Sequence, residues 1–253
     1  MKFCIFSSGS KQNCFYLESG KTALLIDMGI SFRALNVMLR ALGREVSDLG
    51  GVFISHEHSD HTRGLATLTK RAALPIYLHP ASKARLGLPL THARLLYPHI
   101  PVTLGDITIL PFPVSHDAVN TFGFRITDGD RSLFLASDLG CFDEAITTRT
   151  IGSHAIAIES NYDQLALHTC GYPPSLKARI RGRSGHLSND DAVRFLQQTI
   201  QPHTLTVFLL HLSANSNSPS HVQQQIDTHL AIQFPHVTFH ISHRDQALPL
   251  IEI

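Results

Sequence analysis

The stretch "ISHEHSDH", residues 54–61, packs three histidines and two carboxylates into eight positions directly behind the apolar run "GVFIS". Residues i and i+2 of extended backbone project to the same side. His56 and His58 therefore aim two imidazoles at one point as the strand ends. Asp60 and His61 follow where the chain turns towards a helix, and can face a second point beside the first. Imidazole nitrogen with carboxylate oxygen suits zinc, and also manganese or iron. A lone His-x-His is ordinarily a charged turn. His-x-His-x-Asp-His behind a strand is far more specific for metal. Four donors do not close two cation sites, so more are expected at strand ends downstream.

Three further β-like runs end on such donors. "PFPVSHD" places His116 after a strand, "SLFLASDLG" does the same for Asp138, and "LTVFLLHLS" ends on His211. Each alone would pass as a polar loop residue. In the order His, Asp, His, behind the first motif, they complete a set in which Asp138 could bridge two cations.

The rest of the chain alternates short β-like runs with helical patterns. The runs are "KFCIF", "NCFYLES", "TALLIDM", "GVFIS", "PIYLH", "ITILPFPV", "TFGFRI" and "SLFLAS", with "DGD" at 128–130 as a hairpin turn. Helices are expected at about 31–42, 62–71, 189–199 and 220–232, and late strands at 206–210 and 236–241. Ser188 is a candidate N-cap, with acids in the first turn behind it. Strands in both halves with helices among them predict an α/β (α+β) fold, two packed sheets covered by helices, in one domain spanning 1–253.

Composition narrows the class. Hydrophobic residues make up 43% of the 253, enough for a large core, while charged residues are 16%, below the roughly 25% of an average globular protein. A formal net charge of +1 predicts no general attraction to nucleic acid or an acidic membrane, so such binding needs a local patch. Four cysteines without a CxxC pair argue against a zinc ribbon or a disulfide framework. "MKFCIF" turns polar too early for a signal peptide, and no apolar run reaches the ~18–20 residues of a membrane helix. The expected location is the cytoplasm.

The seven residues His56, His58, Asp60, His61, His116, Asp138 and His211 match, one by one, the metal motifs of the metallo-β-lactamase superfamily. "SSGSKQNCFYLE", "LLIDMGIS", "FPVSHDAVNTFGF", "SDLG", "IESNYD", "SGHLSNDDA" and "LLHLS", spread from residue 3 to about 245, make the chain resemble the YycJ/WalJ group, nuclease-like relatives of RNase Z and RNase J. The resemblance implies a four-layered αβ/βα sandwich with the site at one edge of the paired sheets. It implies two divalent metal ions, Zn2+ or Mn2+. His56, His58 and His116 would hold one, Asp60, His61 and His211 the other, with Asp138 bridging. It also implies 5′-to-3′ exonuclease activity on DNA ends. The chain departs from the group at 11–12, where a second glycine is usual, and at 214–217, where acidic residues are common.

Neighbouring divalent cations acidify water and neutralise phosphate oxygens. Asp60 is then expected to orient the attacking water and take its proton, and His186, held by Glu159, to protonate the leaving oxygen. The pair matches the Glu and His of RNase Z-like enzymes in order and context; the bland reading leaves Glu159 as a strand end and His186 as the neighbour of a helix cap. "SLKARIRGRSGHLS" leads Lys177, Arg179, Arg181 and Arg183 straight to His186, either as a phosphate-guiding strip or as a solvated basic face. Ser8, Gly9, Ser10 and Asn13 could offer hydroxyls and amides to a phosphate, or form a plain turn. The competing functions are hydrolysis of a thioester, lactone or β-lactam on the same fold, and a non-catalytic metal-bound scaffold. A redox diiron protein is disfavoured because an acid would usually stand at His58.

Overall fold

The computed structural model describes residues 1–243 and 246–253, so the far end of the motif span, at 245, lies outside the described residues. Among the described residues fourteen strands form two sheets of seven. The first comprises β1 (Lys2–Ser7), β2 (Cys14–Ser19), β3 (Thr22–Ile26), β4 (Leu49–Phe53), β5 (Ile76–Leu78), β6 (Ala93–Leu95) and β14 (Ile251–Glu252). It runs in the order β14-β1-β2-β3-β4-β5-β6. The second comprises β7 (Val102–Leu104), β8 (Ile107–Pro113), β9 (Phe122–Thr127), β10 (Ser132–Ala136), β11 (Ala155–Glu159), β12 (Thr206–Leu210) and β13 (Thr238–Ile241), ordered β13-β12-β11-β10-β9-β8-β7. Nine α-helices connect them among the described residues: α1 (Phe32–Ala41), α2 (Ser59–Thr62), α3 (Leu65–Arg71), α4 (Pro80–Leu86), α5 (Glu144–Thr150), α6 (Gln164–Thr169), α7 (Pro174–Arg181), α8 (Asn189–Thr199) and α9 (Pro219–Gln225).

The two-residue period of the strands sorts their side chains into layers. Phe3 and Ile5 of β1 join Phe208 and Leu210 of β12 in a core between the sheets, and the rings of Phe3 and Phe208 meet edge to face at 5.0 Å. Cys4 and Phe6 point the other way, towards Leu35 and Leu39 of α1 and Leu65 and Leu68 of α3. In the second sheet Leu133 and Leu135 face inward, while Phe134 and Ala136 face Ile146 of α5 and Phe195 and Leu196 of α8. Both faces of the central strands are thus buried, which is why they read as unbroken apolar runs. Helix, sheet, sheet, helix is the four-layered arrangement the motifs imply.

Several boundaries match the expectations and two helices do not. Ser188 caps α8, its hydroxyl accepting from Asp191 N at 3.1 Å. Gly129, at φ 96°, makes the tight turn between β9 and β10. The helix expected over 62–71 is instead two: α2 starts earlier, so Asp60 and His61 lie inside its turn, and the chain breaks at Gly64. Gly64 N donates to Met28 O, and a Cβ at Gly64 would stand 2.1 Å from Ile30 O. Close backbone contact with the loop after β3 therefore bends the chain, and no helical period reveals that. Similarly, the helix expected over 220–232 begins as α9 and ends in a π-helical turn, Ile226–Leu230. The short strands β6, β7 and β14 and the helices α4 to α7 are too brief for periodicity to register.

Candidate metal centre and active site

Parallel β10, β11 and β12 end side by side, and their termini carry Asp138, Glu159 and His211. His116 comes from the loop after β8, and 56–61 runs from the end of β4 into α2. All seven expected ligands converge. Nitrogens and oxygens of His56, His58 and His116 lie within 4.8 Å of one another, as do those of Asp60, His61 and His211, and a third such group joins His56 and His61 to Asp138. A fourth joins Asp138 and His211 to Glu159 and His186.

The rings are held by one nitrogen and present the other. His61 Nδ1 faces Asp27 Oδ2 at 2.7 Å, while its Nε2 lies 2.6 Å from Asp138 Oδ2. His116 Nδ1 bonds Gly185 O at 3.0 Å, His56 Nδ1 meets Ser55 Oγ at 3.0 Å, and His211 Nδ1 meets Glu159 Oε1 at 2.8 Å. His58 and His116 approach each other through Nδ1 and Nε2 at 3.4 Å. A carboxylate or carbonyl behind an imidazole fixes its tautomer, the usual arrangement behind a metal ligand.

The donor set fits divalent cations. His56 Nε2, Asp138 Oδ1 and His211 Nε2 are buried without an aligned hydrogen-bond partner, a costly condition unless a ligand meets them. Burial and the neighbouring imidazoles push His56 well below its ordinary range, into the neutral form a ligand needs. Burial works against a charge on His61 and on His211 too, but the surrounding carboxylates together outweigh it and raise both, Asp138 with Asp27 at His61 and Asp138 with Asp60 and Glu159 at His211. The carboxylates thus demand positive charge at this spot. Asp27 and His211 also hold left-handed backbone, at φ 61° and 56°, the kind of local strain that gathers at functional sites.

Glu159 ties the centre to His186. It is fully buried. Its Oε1 lies 2.7 Å from His186 Nδ1 and 2.8 Å from His211 Nδ1, and its Oε2 accepts from Leu139 N at 2.8 Å and Leu187 N at 3.2 Å. One carboxylate therefore holds two imidazoles and the turns after β10 and before α8. Burial resists ionisation of Glu159, but the charge and hydrogen bond of His186 outweigh it and lower its pKa; Glu159 in turn raises His186 against the same resistance. Burial likewise disfavours the Asp60 anion, and hydrogen bonds from His211 and His61 hold it well below the usual carboxylate range.

A cleft of about 310 Å³ opens over these groups, lined by Ser10, Asp60, His116, Arg179 and His186 among others. The residues expected at a phosphate divide. Ser10 lines the cleft, and Arg179 lines it too, pairing with Asp117. Ser8 and Asn13 are buried instead. Ser8 Oγ accepts from His211 N at 2.9 Å, and Asn13 Nδ2 approaches His61 Nε2 at 2.9 Å and Asp60 Oδ2 at 3.3 Å. Both support the centre from behind. Gly9 shapes the turn, its carbonyl accepting from Gln12 N and its amide donating to Asn13 Oδ1. Lys177 turns away to His168 O at 2.6 Å, and Arg181 and Arg183 line a different cavity. The segment 214–217 supplies a buried amide, Asn217, bonded to Ser160 O and Asn189.

Sequence reasoning passed over Asp27 and Glu57. Asp27 follows β3 as Asp138 follows β10, so the rule that found one applies to both. Glu57 looks like the spacer of the first motif, yet its carboxylate accepts from Val119 N at 2.8 Å and Ser82 Oγ at 3.0 Å, pinning the loop that bears His116. No local pattern announces that role.

A family model described as a beta-lactamase superfamily domain matches residues 22–211. The chain belongs to the metallo-β-lactamase superfamily and is a metal-dependent hydrolase by fold and site. Within it the chain falls in the YycJ/WalJ group. It is 32% identical over 222 residues to exodeoxyribonuclease YycJ of Bacillus anthracis, covering 86% of this chain and 84% of that protein. It is 33% identical over 223 residues to exodeoxyribonuclease WalJ of Streptococcus pneumoniae serotype 2 strain D39, covering 85% and 83%. The metallo-β-lactamase fold protein YhfI from Bacillus subtilis superposes with a TM-score of 0.73 across 98% of this chain and 99% of its own, at 19% identity, a likeness of fold alone.

Proposed function

We propose that the chain, 1–253 acting as one domain, is a cytoplasmic phosphodiesterase that degrades DNA from its ends in the 5′-to-3′ direction. The observation that carries this reading is His186, held 2.7 Å from the buried Glu159 beside the ligand cluster, where a proton donor serves a poor alkoxide leaving group. The relatives named exodeoxyribonuclease support the substrate class. No helix among the described residues is long and apolar enough to cross a membrane.

His56, His58 and His116 would hold one divalent cation, Zn2+ or Mn2+, and Asp60, His61 and His211 another, with Asp138 shared, and the pair would supply acidified water and neutralise charge on the phosphate. Asp60, a fifth exposed at the cleft floor, orients the attacking water and accepts its proton. Arg179 and Ser10 meet the phosphate from the cleft wall. His186 keeps Nδ1–H on Glu159 and donates from Nε2 to the departing oxygen. Asn13 and Ser8 keep Asp60, His61 and His211 in register during the reaction.

The test is a metal-reconstituted assay on 5′-phosphorylated single- and double-stranded DNA and RNA, beside bis-p-nitrophenyl phosphate and a thioester. Release of nucleotides from the 5′ end of DNA is expected. Activity confined to the thioester would sink the proposal.

A further inference from the structure

The helix α7 sends its last arginines to opposite sides. Each helical residue turns by about 100°, so Arg179 and Arg181 leave the axis nearly back to back. Arg179 joins the metal cleft. Arg181, with Arg183 just beyond the helix end, faces a second cavity of about 410 Å³ that Phe142, Asp191, Arg194 and Gln198 also line. That volume suits a nucleotide-sized ligand.

Charge in this cavity is unbalanced. Arg194 is bonded to Asp191, whereas Arg181 and Arg183 make no ion pair and no side-chain hydrogen bond among the described residues. The Phe142 ring is half-buried and edge-on to Phe195 at 5.1 Å, leaving part of its surface towards the cavity. Two free guanidinium groups beside an aromatic ring and a side-chain amide match a phosphate with its base.

The cavity and the cleft share a wall. The segment 138–142 starts in the cleft at Asp138 and reaches the second cavity at Phe142; the segment 183–187 crosses back, with Arg183 in the cavity and His186 in the cleft. The two segments touch backbone to backbone, because a Cβ on Gly140 would stand 2.3 Å from Arg183 O. Gly140 N also donates to Ser115 O at 2.7 Å, and Ser115 Oγ donates to Arg183 O at 2.7 Å. Asp138 and Cys141 are three residues apart, at most ~11 Å along the chain. A strand leaving the cleft over this wall meets the second cavity within a short reach.

We propose that this cavity is a nucleotide subsite for the substrate strand. Arg181 and Arg183 grip the phosphate of a nucleotide near the scissile bond, and Phe142 and Gln198 face its base without selecting sequence. The assignment rests on the nuclease reading above. It predicts that substrates too short to span both cavities are cut inefficiently.

The experiment compares kcat/KM on 5′-phosphorylated deoxyoligonucleotides from two to eight nucleotides, for wild type and the Arg181→Ala/Arg183→Ala double variant. Wild-type kcat/KM should rise about tenfold or more with length. The double variant should lose that rise through KM, with kcat on the longest substrate little changed. Its slope of log kcat/KM against log salt should become shallower by about 0.7, the value for one phosphate contact on a single strand. Arg33→Ala/Arg40→Ala, which removes the same charge from α1, should keep both the rise and the slope. Arg181→Gln/Arg183→Gln repeats the measurement should the alanine variant melt early. A double variant with the wild-type length dependence and salt slope, or an α1 control that loses as much, overturns the subsite. Failure of the wild type to cut any oligonucleotide is a separate result, overturning the nuclease reading itself.

Discussion

His186 and Asp27 do different work at the same cluster, one in the cleft and one behind it. His186 presents a ring to the cleft, a fifth exposed, and shares its other nitrogen with Glu159. His186→Ala should leave metal content intact and lower turnover ~10²–10⁴-fold, the usual scale of general acid catalysis; metal analysis beside the nuclease assay decides. Full turnover in that variant removes His186 from the mechanism. Asp27 never reaches the cleft, yet its carboxylate takes Ser55 N at 2.8 Å, Ser55 Oγ at 2.9 Å and His61 Nδ1 at 2.7 Å. Asp27→Asn should weaken cation affinity ~10–100-fold, the common cost of losing a partner behind a ligand, as read by chelator competition. His186 was legible because it stands in a motif with Glu159. Asp27 was legible only by the strand-end rule, since nothing near it in the chain is polar enough to mark a partner thirty residues on.

Short elements decide where these residues point. β2 carries Glu18 among apolar neighbours at a near-buried position, and three groups gather on it: Tyr16 Oη at 2.6 Å, the Arg44 guanidinium at 2.9 Å and Lys2 Nζ at 3.3 Å. Burial raises the Glu18 pKa, but the hydrogen bonds of Tyr16 and Arg44 outweigh it, leaving it below the ordinary 4.5. A carboxyl lowered in the folded state stabilises above its unfolded pKa, and the benefit fades as pH falls through the folded value. Glu18→Gln should therefore cost about 1 kcal/mol at pH 7, given that Lys2 and Arg44 are largely solvated. The gap from wild type should narrow as pH falls below the ordinary carboxyl range, with urea unfolding at pH 7 and in acid as the measure. An equal deficit at every pH would mean lost packing rather than lost charge. At this scale the long strands, α1 and α8 were legible from period and caps. The break at Gly64 was not, because its cause is a carbonyl from another element.

The whole molecule brings charge together that no segment holds alone. Three buried polar atoms of the cluster lack aligned partners, so bound cations should stabilise the fold as well as serve the reaction. A metal at 100 times its Kd adds ~2.7 kcal/mol, or roughly 5–10 °C in Tm for a chain of this size. Chelation should lower Tm by that much and re-addition of Zn2+ or Mn2+ restore it; a melting curve indifferent to chelator would argue that the cluster holds no metal. Read alone, the chain determined the types of its candidate donors, their order and the strand ends that carry them, because donor chemistry and the two-residue period are local. It also determined two layers of apolar side chains on each central strand. Only the tertiary structure decided which groups share a cation-sized space, that Ser8 and Asn13 face inward, and that Arg179 and Arg181 serve different cavities. Those outcomes depend on how distant elements pack and on the rotation of a helix against its neighbours, and distances of that kind are written in no single stretch of sequence.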